Sequence, residues 1–164
     1  MIRRQKHVTS METKEKSFKA SEAELSDFLA DWEAGTLPKG DWTHAAHIAV
    51  AACYTWNQTP AEALPLLRER ISAFTVASGG QNTADAGYHE SLTYFWAQVV
   101  GSFVQSRKPG TRLATVNASV ERFGGARDLP NSFYTHDVVR NGVARRGWVA
   151  PERQAEYAEF RAGL

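Results

Sequence analysis

"GDWTHAAHIAVAACYTW", Gly40 to Trp56, decides how the rest of the chain is read. The segment is almost wholly apolar, yet two imidazoles, His44 and His47, sit three residues apart at its head. Asp41 or Thr43 supplies an N-cap, and a helix from there to about Asn57 is expected. On a helix turning about 100° per residue, His47 lies about 60° from His44, with Ala51, Thr55 and Gln58 close to the same line and Tyr54 beside them. The opposite half carries Ala45, Ala46, Ala49, Val50, Ala52, Cys53 and Trp56. A solvent-facing stripe normally carries Lys, Glu and Arg, whereas this one has no formal charge, which fits a semi-buried polar face. Cys53 falls on the far side from His44 and reads as core filler.

The neighbouring segments repeat the helical grammar. In "SEAELSDFLADWEAG", Ser21 and Glu24 form a capping-box pattern, Leu25, Phe28, Leu29 and Trp32 make one apolar stripe, and Gly35 is the stop. Thr59, Pro60 and Glu62 start a helix to about Ala77, with Leu64, Leu67, Ile71 and Phe74 inward and Pro65 as a local bend. After the loop "GGQNTADAGY", a long helix over 88–106 places His89 on the apolar stripe of Leu92, Trp96, Val100 and Phe103, and leaves Ser91, Gln98, Ser102 and Gln105 on a wet side. A helix over 111–123 and two shorter ones near the C-terminus complete the set, and no alternating strand pattern of any length occurs. The expected fold is an all-α, compact, single-domain bundle of six or seven helices over 19–164, preceded by a flexible polar tail over 1–18 that holds His7.

The totals narrow the function classes. A length of 164 residues with 43% hydrophobic and 23% charged residues is that of one globular domain. A net charge of +1 gives no electrostatic case for nucleic acid or an anionic membrane as the main partner. One cysteine permits neither an internal disulfide nor a thiolate metal cluster, and suits a reducing cytosol. The opening residues never develop the apolar run of a secretory leader, and no stretch is long enough to span a bilayer. A cytoplasmic protein is expected.

The residues that point to chemistry are His44, His47 and His89, with Tyr88 and Glu90 alongside. Two histidines at i and i+3, joined by a third from a neighbouring helix, are a ligand set for a divalent metal such as zinc or iron with an open position. Glu90 lies about 100° from His89 on a regular helix, so it reads not as a co-ligand but as a partner that supports a ligand or as a general base carrying the proton, with Tyr88 as its catalytic neighbour. The spacing H-x-x-H is not the zincin motif. Trp42, Thr43, Asn82 and Thr83 are candidates for substrate contacts at the rim, although Asn82 and Thr83 are also ordinary turn residues. His136, next to Asp137, joins the cluster only if its segment packs against it. Arg145 and Arg146, beside Trp148, offer an anion clamp but read first as a solvated basic helix end.

"TLPKGDWTHAAHIAVAACY", "NTADAGYHESLTYFW" and "ARRGWVAPE" together resemble a family of small helical bacterial proteins that carry W-T-H-x-x-H and G-Y-H-E-x-L-T segments. The likeness runs from about Phe28 to Glu152 and implies a compact helical protein with Trp42, Thr43, His44, His47, Asn82, Thr83, Tyr88, His89 and Glu90 at the motif positions. No activity is assigned to that family. Two functional expectations follow from the residues. The first is a small-molecule-binding protein, extending to a metal-dependent enzyme. The second is a non-catalytic interaction module whose buried histidines only complete a hydrogen-bond network.

Overall fold

Ser21 opens the first helix, its hydroxyl accepting the Glu24 N–H at 3.2 Å, while the Glu24 carboxylate accepts the N–H of Ala20. This is seen in a computed structural model of the protein, which describes residues 17–164. The tail expected over 1–18, and His7 with it, lies outside the described residues except for its last two. Of these, Phe18 meets the Phe28 ring edge-on at 5.3 Å and belongs to the packed body.

Helix α1 (Glu22–Glu33) buries Leu25, Phe28 and Trp32, the stripe expected from its spacing. Burying each such side chain contributes roughly 2–3 kcal/mol. Gly35 follows with φ of 73°, and a Cβ there would sit 2.7 Å from the Ala77 side chain, so both conformation and space call for glycine. Next come α2 (His44–Thr55), capped by Thr43, and α3 (Pro60–Ala77), whose Thr59–Glu62 capping box is fully formed. Helices α4 (Glu90–Ser106), α5 (Arg112–Phe123), α6 (Gly142–Arg146) and α7 (Gln154–Ala162) complete the order, and short 3-10 turns occupy Lys39–Asp41 and Leu129–Ser132. The protein is all-α: seven helices and, among the described residues, no strand.

Helix α2 is the hub, packed on α5, α4 and α3. Its alanines explain this: Ala46, Ala49, Ala51 and Ala52 are all buried, and short side chains let three helices approach one axis. Helix α4 brings Phe95, Val99, Val100 and Val104 to the same core. Helix α7 closes the far side, stacking Tyr157 on Phe95 at 5.0 Å.

Two local expectations need correction. Helix α4 begins at Glu90 and not at Tyr88; His89 is its N-cap, with extended φ and ψ of −138° and 106°. The supposed wet side of α4 is covered at its start. Ser91 is fully buried, donating to the Gly147 carbonyl at 2.8 Å and accepting the Val149 N–H at 2.9 Å, which fastens the chain after α6 onto α4.

Candidate functional site

The head of α2 opens on a cavity of about 480 Å³, within the range typical of small-molecule sites. His44, His47, Val50 and Ala51 come from α2, and His89, Leu92, Thr93 and Trp96 from α4 and its cap. Leu67 and Ile71 on α3 form one flank, and the turn after α5, with Arg127, Asp128 and Asn131, forms the other. Trp42, Thr43 and Tyr88 also reach it. The three histidines thus meet one void, as their positions along the chain suggested, but their nitrogens are differently engaged.

His89 is fully committed. Its Nδ1 accepts the Leu92 N–H at 3.3 Å, capping α4, which leaves the proton on Nε2 to donate to the Val138 carbonyl at 2.8 Å. It is a buried, neutral fastener between α4 and the 138–139 segment. Burial lowers its basicity, with the Val138 carbonyl opposing and Arg145 adding to the fall.

His47 uses one nitrogen only. Its Nδ1–H donates to the Thr43 carbonyl at 2.8 Å, and its ring lies 3.8 Å from that of Trp42. The Nε2 lone pair faces no protein donor among the described residues. Burial lowers the pKa to about 4, with the nearby His44 and Arg127 acting in the same direction against the Thr43 carbonyl. His47 is therefore uncharged at neutral pH and offers an acceptor. His44 meets the edge of Trp96 at 4.9 Å, and its buried Nε2 has no hydrogen-bond partner. Burial also lowers its pKa, Arg127 adds to this, and the Phe123 carbonyl opposes.

Glu90 stands elsewhere. It is buried at the floor of a second depression, shared with Arg68, Ser72, Asn82, Thr83, Arg145 and Arg146. Its carboxylate accepts from Arg68 Nε at 2.9 Å and Nη2 at 2.5 Å, and from the Tyr88 hydroxyl at 2.6 Å. Burial opposes ionisation, but the Arg68 and Tyr88 bonds outweigh it and hold the carboxyl below its ordinary value. The Tyr88 hydroxyl is pushed up by burial and by that carboxylate. Tyr88 borders both hollows, so the wall between them is this hydrogen-bonded set. Glu90 thus has three donors and does not line the cavity, the position of the supporting partner that its spacing offered beside the general base.

Asn82 and Thr83 also build structure. Asn82 donates to the Ser72 carbonyl at 2.9 Å and accepts the Tyr88 N–H at 2.9 Å, while Thr83 accepts from the N–H groups of Asp85 and Ala86. Gly87, at φ of 80°, lets the loop pass Asn82 where a Cβ would collide at 2.6 Å. They order the loop that carries Tyr88 and His89 and do not line the cavity. His136 is also apart, bound to Glu152 at 2.6 Å. Arg145, expected as a solvated end, donates instead to the carbonyls of Gly87, Tyr88 and Val139.

Among the described residues, no group of three His, Cys, Asp or Glu side chains is arranged to hold a metal ion. The sequence reading missed Arg127, Asp128 and the α3 wall; "GGARDLPN" carries opposite charges in a turn, but nothing in its spacing ties it to α2.

No protein-family model, curated protein or solved structure matches the chain. No helix among the described residues is long and apolar enough to cross a membrane.

Proposed function

We propose that this protein binds a small molecule in the cavity between the head of α2, the start of α4, α3 and the turn after α5. One observation carries the reading. Beside a void of about 480 Å³, two neutral imidazoles each keep an Nε2 that makes no hydrogen bond to protein, that of His44 being buried. For the buried His44 nitrogen this costs roughly 1–3 kcal/mol, a cost removed by a ligand that reaches it. The interaction-module alternative accounts for His89, whose nitrogens are both satisfied, but leaves the Nε2 atoms of His44 and His47 without a purpose.

Binding is favoured over acid–base chemistry by the same groups. A general base works best with a pKa near the working pH, and His47 at about 4 is a good acceptor but a weak base. A second reading rests on the same pair of nitrogens: His44 and His47 hold a divalent cation, with ligand or water completing the coordination. Elemental analysis of protein purified without chelator separates the two. A stoichiometric metal, lost in His47→Ala, supports the second. Its absence, with fragments that bind wild type but not the cavity-filling variant Ile71→Trp, supports the first. Val139 also lines the void, and fragment binding untouched by Ile71→Trp and by Val139→Trp would end the cavity reading.

A further inference from the structure

The cavity is electrically asymmetric. At the flank after α5, Arg127 lines the void and enters none of the ion pairs among the described residues, which are Arg68–Glu90, Arg112–Glu22, His136–Glu152 and Arg140–Asp137. Burial is the main reason that His44 and His47 stay uncharged, and the positive charge of Arg127 adds a smaller push in the same direction. Burial disfavours a charge of either sign, whereas the Arg127 contribution disfavours a cation and favours an anion. The lining holds one carboxylate, Asp128, against the two guanidiniums of Arg127 and Arg145. Arg145 already serves three carbonyls, so the donors of Arg127 are the available ones.

The opposite flank is apolar. Leu67 and Ile71 of α3 face the void, and Trp42 packs on Phe74 of the same helix at 5.2 Å. The imidazoles of α2 stand between the two flanks, because α2 packs on α5 on one side and on α3 on another. A ligand crossing the void therefore meets a guanidinium, then two hydrogen-bonding nitrogens, then an aliphatic and indole wall.

We infer that the cavity takes a small organic monocarboxylate with an apolar or aromatic body, its carboxylate at Arg127 and its body against Leu67, Ile71 and Trp42. This rests on the cavity being a ligand site, as proposed above. A single available guanidinium with Asp128 beside it suits one negative charge and disfavours a dianionic phosphate.

The test uses the full chain and a fragment set in matched quartets sharing one body: for 3-phenylpropanoate, these are the carboxylate, its primary amide, its amine analogue and the phosphate monoester of the matching alcohol. Binding is read by ligand-observed NMR and by fluorescence of the tryptophans, in wild type, Arg127→Gln, Arg127→Lys, Ile71→Trp and Val139→Trp, with thermal melts to confirm folding. The expected result is carboxylates bound about ten- to hundredfold more tightly than their amides. That preference should vanish in Arg127→Gln, persist largely in Arg127→Lys, and weaken with added salt, while amide affinity is unchanged. Carboxylates no better than amides, or amines or phosphates bound best, or a preference that survives in Arg127→Gln, overturns the anion assignment. In those cases, sensitivity of the binding to Ile71→Trp or Val139→Trp leaves the cavity reading standing. If no member of the set binds, or if neither blocking variant matters, both fall.

Discussion

Two clusters of polar residues lie back to back across Tyr88, and they are built on opposite plans. On one side, Arg68, Tyr88, Glu90, Asn82 and the cap His89 satisfy one another or the backbone almost completely. On the other, His44, His47 and Arg127 border a void with nitrogens left over. Both clusters look equally functional as a string of letters. The difference teaches that burial of polar residues does not by itself mark a site; the proposed one rests instead on unspent hydrogen-bonding capacity beside empty space.

The comparison can be broken most forcefully with acid. His47 falls from 6.5 unfolded to about 4 folded, so between these values the unfolded chain binds more protons. Stability contributed by neutral His47 is present in full above pH 6.5 and is lost as pH drops towards 4. The loss from this residue is up to about 3 kcal/mol. Chemical denaturation across that window should show the fall, and His47→Gln should flatten it. His44 and His89 are shifted the same way and should leave a residual slope. A profile for His47→Gln as steep as that of the wild type would mean that His47 is wetted.

On the satisfied side, His89→Ala should cost roughly 2 kcal/mol by urea unfolding, since it deletes both the α4 cap and the tie to Val138. An unchanged midpoint would mean that the cap does not hold α4. Arg68→Met should cost less, about 1 kcal/mol, because Arg68 is half exposed even though Glu90 is not. Its signature is an acid limb moved to higher pH, as Glu90 loses the partner that keeps it ionised. The smallest effect on stability belongs to the open side: His44→Leu should melt within about 0.5 kcal/mol of wild type, or above it, because its Nε2 is buried without a hydrogen-bond partner and the ring has only a weak attraction to the Phe123 carbonyl to lose. A large loss there would reveal a structural partner and erase the contrast between the two clusters.

The helices themselves were readable in the sequence. Ser21, Thr59 and Thr43, the last of these one of two candidates, each cap the helix that follows, and Gly35 ends one, because capping and handedness are settled within a few neighbouring residues. The pairing of His44 with His47 on one face was equally local, being fixed by the helical repeat. His89 escaped the same treatment: a projection assumes that the residue is inside the helix, and an N-cap is not.

What the sequence by itself determined was an all-α set of six or seven helices and the two histidines at the head of one of them. Tertiary structure alone decided which polar groups were consumed. Glu90 was claimed by Arg68, 22 residues upstream, and His89 by the carbonyl of Val138, 49 residues downstream. Arg127 was brought to the void by the packing of α5 on α2. Local rules fix where a side chain leaves its helix, over a turn or two. Whether its last hydrogen bond goes to protein or remains for a ligand depends on chain segments that only folding brings within 3 Å of it.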